Sequence, residues 1–147
     1  MLKVYLDNCV FNRPFDPQGH IRIRLETEAK FHIQDQIKQQ RIMLIWSYIL
    51  DFENAYNPFV ERREAIAEWQ KLAEVDVEET QEILDAAHSL RKLGLKSKDA
   101  LHIACAIEAG ADYFITTDDL IIKKTRNLKA TKVVNPLQFI EIIEGER

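Results

Sequence analysis

Short apolar runs alternate along this chain with longer segments of helical periodicity. That alternation predicts an α/β fold: βαβ units building a central, mostly parallel sheet with helices on both faces. Two further observations point the same way. The runs "VYL" and "IMLI" suit strands buried in the middle of such a sheet. Carboxylates follow directly on two strands, at the sheet edge where ligands bind in α/β folds.

Taken in order, residues 2–6 read as the first strand, and Asp7 ends it. "RPFDPQGH" carries two prolines and a glycine and reads as a loop. Ile21, Leu25, Ala29, Ile33 and Ile37 recur at every fourth position, one stripe of a long helix. Residues 42–45 read as the second strand. Ser47 is placed to cap a helix carrying Ile49, Leu50, Phe52 and Glu53. Asn57-Pro58 predicts a fresh start, asparagine as cap and proline at the first helical position, with a helix reaching about Leu72. "EVDV" at 74–77 is a short strand or a connection. Ile83, Leu84, Ala87 and Leu90 mark a helix from Thr80, and Gly94 suits its stop. Ser97 is the expected cap of the next helix, whose buried side reads Ala100, Leu101, Ala104 and Ile107. "DYFIT" is a strand, "DDLIIKKTRN" a short helix, "KVV" a last strand, and Asn135-Pro136 opens a terminal helix.

At 147 residues the chain is expected to form a single domain spanning 1–147. A domain of this size buries roughly 68–70% of the surface its unfolded chain exposes, so it needs no metal or disulfide staple. Hydrophobic residues make up 46% and charged residues 30%, ordinary values for a globular protein. The net charge of -4 excludes a global basic field, so a polyanion would need a local patch. Two cysteines, Cys9 and Cys105, are too few for a disulfide framework and lack zinc spacing; a reducing, cytoplasmic setting is the simplest expectation. No signal peptide is legible, and the longest near-apolar run, "IMLIWSYIL", is nine residues. A membrane-spanning helix needs about 20, so no membrane partner is expected.

The acids to weigh are Asp7, Glu53, Asp99 and Asp118, two at strand ends and two in early helical turns. Each alone has a plainer reading. Asp99 complements a helix N-terminus, Glu53 sits on an exposed helix face, and Asp118 caps the next helix. Asp7 is harder to dismiss, because it follows an apolar strand directly. Brought together, like charges about 4 Å apart cost roughly 4 kcal/mol per pair at an effective dielectric near 20. Such a cluster persists only with protons or a cation. An all-carboxylate set with few nitrogen or sulfur competitors suits a hard cation, Mg²⁺ or Mn²⁺, and phosphodiester chemistry.

The order "VYLDNCVF", then "SYILDFE", then "KDALHIACAIEAGADYFITTDD" resembles the PIN domains over nearly the whole chain. The resemblance implies a three-layer α/β/α sandwich. It implies a metal-dependent endoribonuclease of the kind that includes the VapC-like toxins of toxin–antitoxin pairs, with Mg²⁺ or Mn²⁺ as cofactor. The family's acidic quartet maps onto Asp7, Glu53, Asp99 and Asp118, with Asp51 a less favoured substitute for Glu53. Asn8 stands where many members carry Ser, Thr or Asn; Thr116 and Asp119 flank the last metal position and suit auxiliary contacts to water or phosphate. The expected partners are RNA, an antitoxin protein and a second copy of the chain, the last two through the amphipathic stretch "NPFVERREAIAEWQKL". Two departures are visible: Cys9, a poor Mg²⁺ ligand, follows Asn8, and the "FNRPFD" loop is unlike the commonest toxin pattern.

Other residues carry smaller expectations. Arg13, on the loop after Asp7, is the favoured phosphate contact. Lys123, Lys124, Arg126, Lys129 and Lys132 form a solvated face or a track for an RNA backbone. His102 shares a helix face with Asp99 and either orients a carboxylate or is simply buried and hydrogen-bonded. Trp46 and Trp69 read as packing anchors. The competing function is a non-catalytic RNA- or protein-binding module with the same fold. A receiver or a haloacid-dehalogenase-type phosphoacceptor is disfavoured: the acidic pair comes late, and "DNC" lacks the second acid of Asp-x-Asp.

Overall fold

The computed structural model describes residues 1–145. Within them, strands β1 (Lys3–Leu6), β2 (Met43–Ser47), β3 (Val75–Val77), β4 (Tyr113–Ile115) and β5 (Lys132–Val134) form one sheet in the order β3-β2-β1-β4-β5. Every pairing is parallel, with Val4 opposite both Leu44 and Tyr113. β1 lies in the middle, which explains its apolar run: Val4, Tyr5 and Leu6 are all fully buried. The stretch at 74–77, left open by the sequence, is the edge strand β3.

The connecting helices are α1 (Asn8–Asn12), α2 (Ile21–Lys38), α3 (Tyr48–Ala55), α4 (Val60–Ala67), α5 (Gln81–Leu90), α6 (Ser97–Glu108), α7 (Asp119–Lys124) and α8 (Pro136–Gly145). The chain moves outward from β1 through β2 to β3, then returns past β1 to β4 and β5. Right-handed crossovers therefore put α1–α4 on one face and α5–α7 on the other. α5 packs on α6, and α8 folds back against α2. The result is the expected three-layer sandwich. No helix among the described residues is long and apolar enough to cross a membrane.

Several local expectations shift. The residues directly after Asp7 form α1, an element not expected from the sequence, because Asp7 caps the turn and Val10 and Phe11 insert into the core. The stripe on α2 is buried only from Ala29 onward; Ile21 and Leu25 are exposed, and the inward face carries Glu26 and Thr27 instead. α4 begins at Val60, since the Asn57 side chain accepts from the Phe59 amide in a local turn before the helix starts. Ser97 is the first helical residue of α6 and makes no capping bond; Lys96 holds the cap position. Ser47 and Thr80 cap as expected, accepting from the amides of Leu50 and Ile83. Gly94 ends the turn after α5 at φ 91°, a conformation that strains any residue with a Cβ.

Candidate active site

The strand order reverses between β1 and β4, so the crevice of this sheet opens at their carboxyl ends. The Asp7 amide continues the pairing, donating to the Ile115 carbonyl at 2.9 Å. Asp7 and the Thr116–Asp118 turn are thereby set side by side. Ser47 at the end of β2 starts α3, which brings in Glu53, and the first turn of α6 brings in Asp99. Asp7, Glu53, Asp99 and Asp118 all line one cleft of about 590 Å³, together with Asn8, Asn12, Lys96 and Lys98.

Each acid is held differently. Asp7 is 6% exposed. Its Oδ1 accepts from the Asn8 amide at 2.8 Å, and its Oδ2 accepts from Thr116 Oγ1 at 2.8 Å and from the Cys9 thiol at 3.4 Å. Asp118 caps α7: its Oδ1 accepts from the amides of Leu120 and Ile121, and its own amide donates to Thr116 Oγ1 at 3.1 Å. The capping reading is therefore correct, and it leaves Asp118 on the cleft wall. Glu53 Oε2 accepts from Asn8 Nδ2 at 3.3 Å, and Glu53 Oε1 is hydrogen-bonded to His102 Nε2. Asp99 receives no side-chain hydrogen bond among the described residues.

Electrostatics separate the last two. Burial pushes the Glu53 carboxyl up, but hydrogen bonding and charge from His102, with Lys98 and Asn8, outweigh it and hold Glu53 below its usual range. Asp99 is pushed above its usual range, first by burial and then by the charges of Asp7, Asp118 and Glu53. That pattern is the repulsion a cation would relieve, and the oxygen-only donor set suits a hard one. Among the described residues, however, no three His, Cys, Asp or Glu side chains are close enough together to hold a metal ion as they stand. Protein donors occupy Asp7, Glu53 and one oxygen of Asp118 instead.

The remaining expected residues are placed as follows. Asn8 and Thr116 bridge the acids as described. Asp119 is 64% exposed and forms a two-pronged pair with Arg22, both contacts 2.6 Å, which holds its carboxyl below the usual range. Arg13 spends its guanidinium on buried Glu26 (2.8 and 3.0 Å) and on Asp16 (3.1 Å), so a phosphate would compete with two carboxylates for it. Asp51 takes the indole N–H of Trp46 at 2.9 Å and is not among the cleft-lining residues. Burial, then the Asp7 charge, pushes the Cys9 thiol up, and the thiol donates to Asp7. In the basic run, Lys124 Nζ is tied to the Gly94 carbonyl at 2.9 Å.

Sequence reasoning offered His102 as orienting a carboxylate or as simply buried and hydrogen-bonded; it missed Tyr5 behind His102, and Lys96 and Lys98. His102 is fully buried, and its Nδ1 lies 2.5 Å from Tyr5 Oη, which in turn lies 2.6 Å from Ser47 Oγ. A polar tip on the central residue of β1 was the one legible signal for Tyr5. Lys96 and Lys98 flank Ser97 at the start of α6, and both line the cleft.

No curated protein sequence matches the chain. Among solved structures, VapBC2 from Rickettsia felis, bound to a DNA fragment from its promoter, is similar at 14% identity and a TM-score of 0.58, covering 91% of this chain and 98% of that one. DNA-bound VapBC from Salmonella typhimurium is similar at 18% identity and a TM-score of 0.53, covering 92% and 99%. At such identities the likeness establishes the fold. The family model for the PIN domain matches residues 4–127, which takes in β1 from Val4, the whole of β2, β3 and β4, and all four acids, and on that match the chain belongs to the PIN domain family.

Proposed function

We propose that this PIN-domain protein is a Mg²⁺- or Mn²⁺-dependent endoribonuclease that cleaves RNA phosphodiester bonds, acting as the toxin of a toxin–antitoxin pair. The observation that carries the reading is the convergence of Asp7, Glu53, Asp99 and Asp118, from four separate elements, on one cleft at the sheet's switch point. Those four residues would hold the cation, which supplies Lewis acidity toward a phosphodiester. The chain's own residues do the rest. Thr116 and Asn8 orient Asp7 and Glu53, and Lys96 and Lys98 on the cleft wall offer positive charge to a phosphate. Asn8 and Thr116 are the auxiliary positions, and Asp119 would join them only by leaving Arg22; Arg13 would serve a phosphate only by leaving Glu26 and Asp16.

The likeness to VapBC assemblies supports an antitoxin partner. Exposed Phe52, Tyr56, Phe59 and Val60, beside the cleft, form the apolar face we assign to it. A second copy of the chain is the other occupant expected of that region, and sedimentation of the isolated chain distinguishes the two. The alternative is a binding module without catalysis, in which Lys96 and Lys98 on the cleft wall hold a phosphate backbone.

The deciding experiment is Mn²⁺ titration by calorimetry on the wild type and on Asp118→Asn, followed by RNA cleavage with and without metal. Metal uptake in the wild type that is lost in the variant, together with metal-dependent cleavage, supports the nuclease. No uptake at millimolar Mn²⁺ sinks it and leaves the binding module.

A further inference from the structure

We propose that His102, held from behind by Tyr5, is the positioning residue of the acidic cleft: it fixes the Glu53 carboxylate in place for the cation. The inference rests on the metal-dependent reading above. A line of polar side chains crosses four elements, from Ser47 at the end of β2, through Tyr5 in β1 and His102 in α6, to Glu53 in α3. The first three are fully buried, and only Glu53 reaches the cleft. His102 therefore meets no substrate and acts only through its neighbours.

The ring has no freedom to turn. Its Nδ1 is held by Tyr5 Oη at 2.5 Å and its Nε2 by Glu53 Oε1, so a flip would break both contacts. Tyr5 is itself clamped, stacked on Phe114 with centroids 5.3 Å apart and edge-on to His102. All groups are satisfied by one proton order. Ser47 donates to Tyr5 while accepting from the Leu50 amide, Tyr5 donates to Nδ1, and Nε2–H donates to Glu53. Asn8 fixes the other Glu53 oxygen. The same Nε2 lies 3.9 Å from Asp7 Oδ1, so one nitrogen faces two of the four acids. A purely structural buried histidine could close on any carbonyl. This one closes on a carboxylate that opens to the cleft, the arrangement by which outer groups orient metal ligands.

The test measures Mn²⁺ affinity by calorimetry on wild type, His102→Leu, His102→Gln and Tyr5→Phe, with circular dichroism to confirm folding. Loss of an outer partner typically weakens metal binding roughly 10- to 100-fold, and that range is expected for His102→Leu. His102→Gln keeps a donor toward Glu53 and should stay closer to wild type, and Tyr5→Phe should fall between. Should His102→Leu fail to fold, Tyr5→Phe and His102→Gln decide. Wild-type affinity in the leucine and phenylalanine variants overturns the proposal. A second readout needs no metal: ¹⁵N spectra of the His102 ring should show a protonated Nε2 and an acceptor Nδ1 whose signal moves in Tyr5→Phe. Averaged ring signals overturn the positioning role even if the wild type binds no Mn²⁺, whereas absent binding with the expected ring signals counts against the nuclease reading alone.

Discussion

Replacing Thr116 with valine exchanges one hydroxyl for one methyl just past β4, against Asp7. Thr116 is fully buried; its hydroxyl donates to Asp7 Oδ2 at 2.8 Å and accepts the Asp118 amide at 3.1 Å. A hydrogen bond to a charged acceptor contributes about 1.5–3 kcal/mol, and a neutral one about 0.5–1.5. Losing both predicts a cost of about 2–4.5 kcal/mol. Thr116→Ser keeps the hydroxyl and gives up one buried methyl, about 1 kcal/mol. Urea unfolding of metal-free protein at neutral pH should therefore rank wild type, then serine, then valine, with the last two separated by at least about 1 kcal/mol. Valine equal to or more stable than serine would refute the reasoning, because the hydroxyl would then hold neither Asp7 nor the Asp118 turn.

Four other outcomes are expected. Asp99→Asn should raise the melting temperature of metal-free protein at neutral pH. The raised Asp99 pKa is a penalty that is absent below the usual aspartate range and grows as pH rises through the folded value, so the gain should vanish in acid. Glu53→Gln has the opposite sign: Glu53 is held below its usual range, so its contribution is present above that range and is lost as pH falls below it, and melting curves of the two proteins should converge in acid. Arg13→Ala leaves the buried Glu26 carboxylate only the longer pair with Arg22 at 3.6 Å and should cost about 3 kcal/mol in urea unfolding, whereas Asp119→Ala removes the exposed pair with Arg22 and should cost less than about 1. Mn²⁺ at about 100 times its Kd should stabilise wild type by about 2.7 kcal/mol and leave Asp118→Asn unmoved, measured as a thermal shift.

The sequence by itself determined the parallel sheet, its helical covering and the acidic edge. Those follow from local patterns: apolar runs too short for helices, fourfold spacing between them, and carboxylates directly after strands. Asp7 could be placed at a sheet edge from Val4, Tyr5 and Leu6 alone, because a strand that leaves the core must do so at its end. The starts of α4 and α6 were displaced by one or two residues, since Asn57 and Ser97 can each serve as a cap or as a neighbour of one. Only the tertiary structure decided what each polar group touches. Arg13 belongs to Glu26 and not to an open loop, Trp46 takes Asp51 out of contention, and His102 joins Tyr5 to Glu53. Such partners are separated by up to 97 residues along the chain, as for Tyr5 and His102. Apolar burial is a property of one segment's periodicity. A buried hydrogen bond is a property of two segments and the angle at which the sheet brings them together.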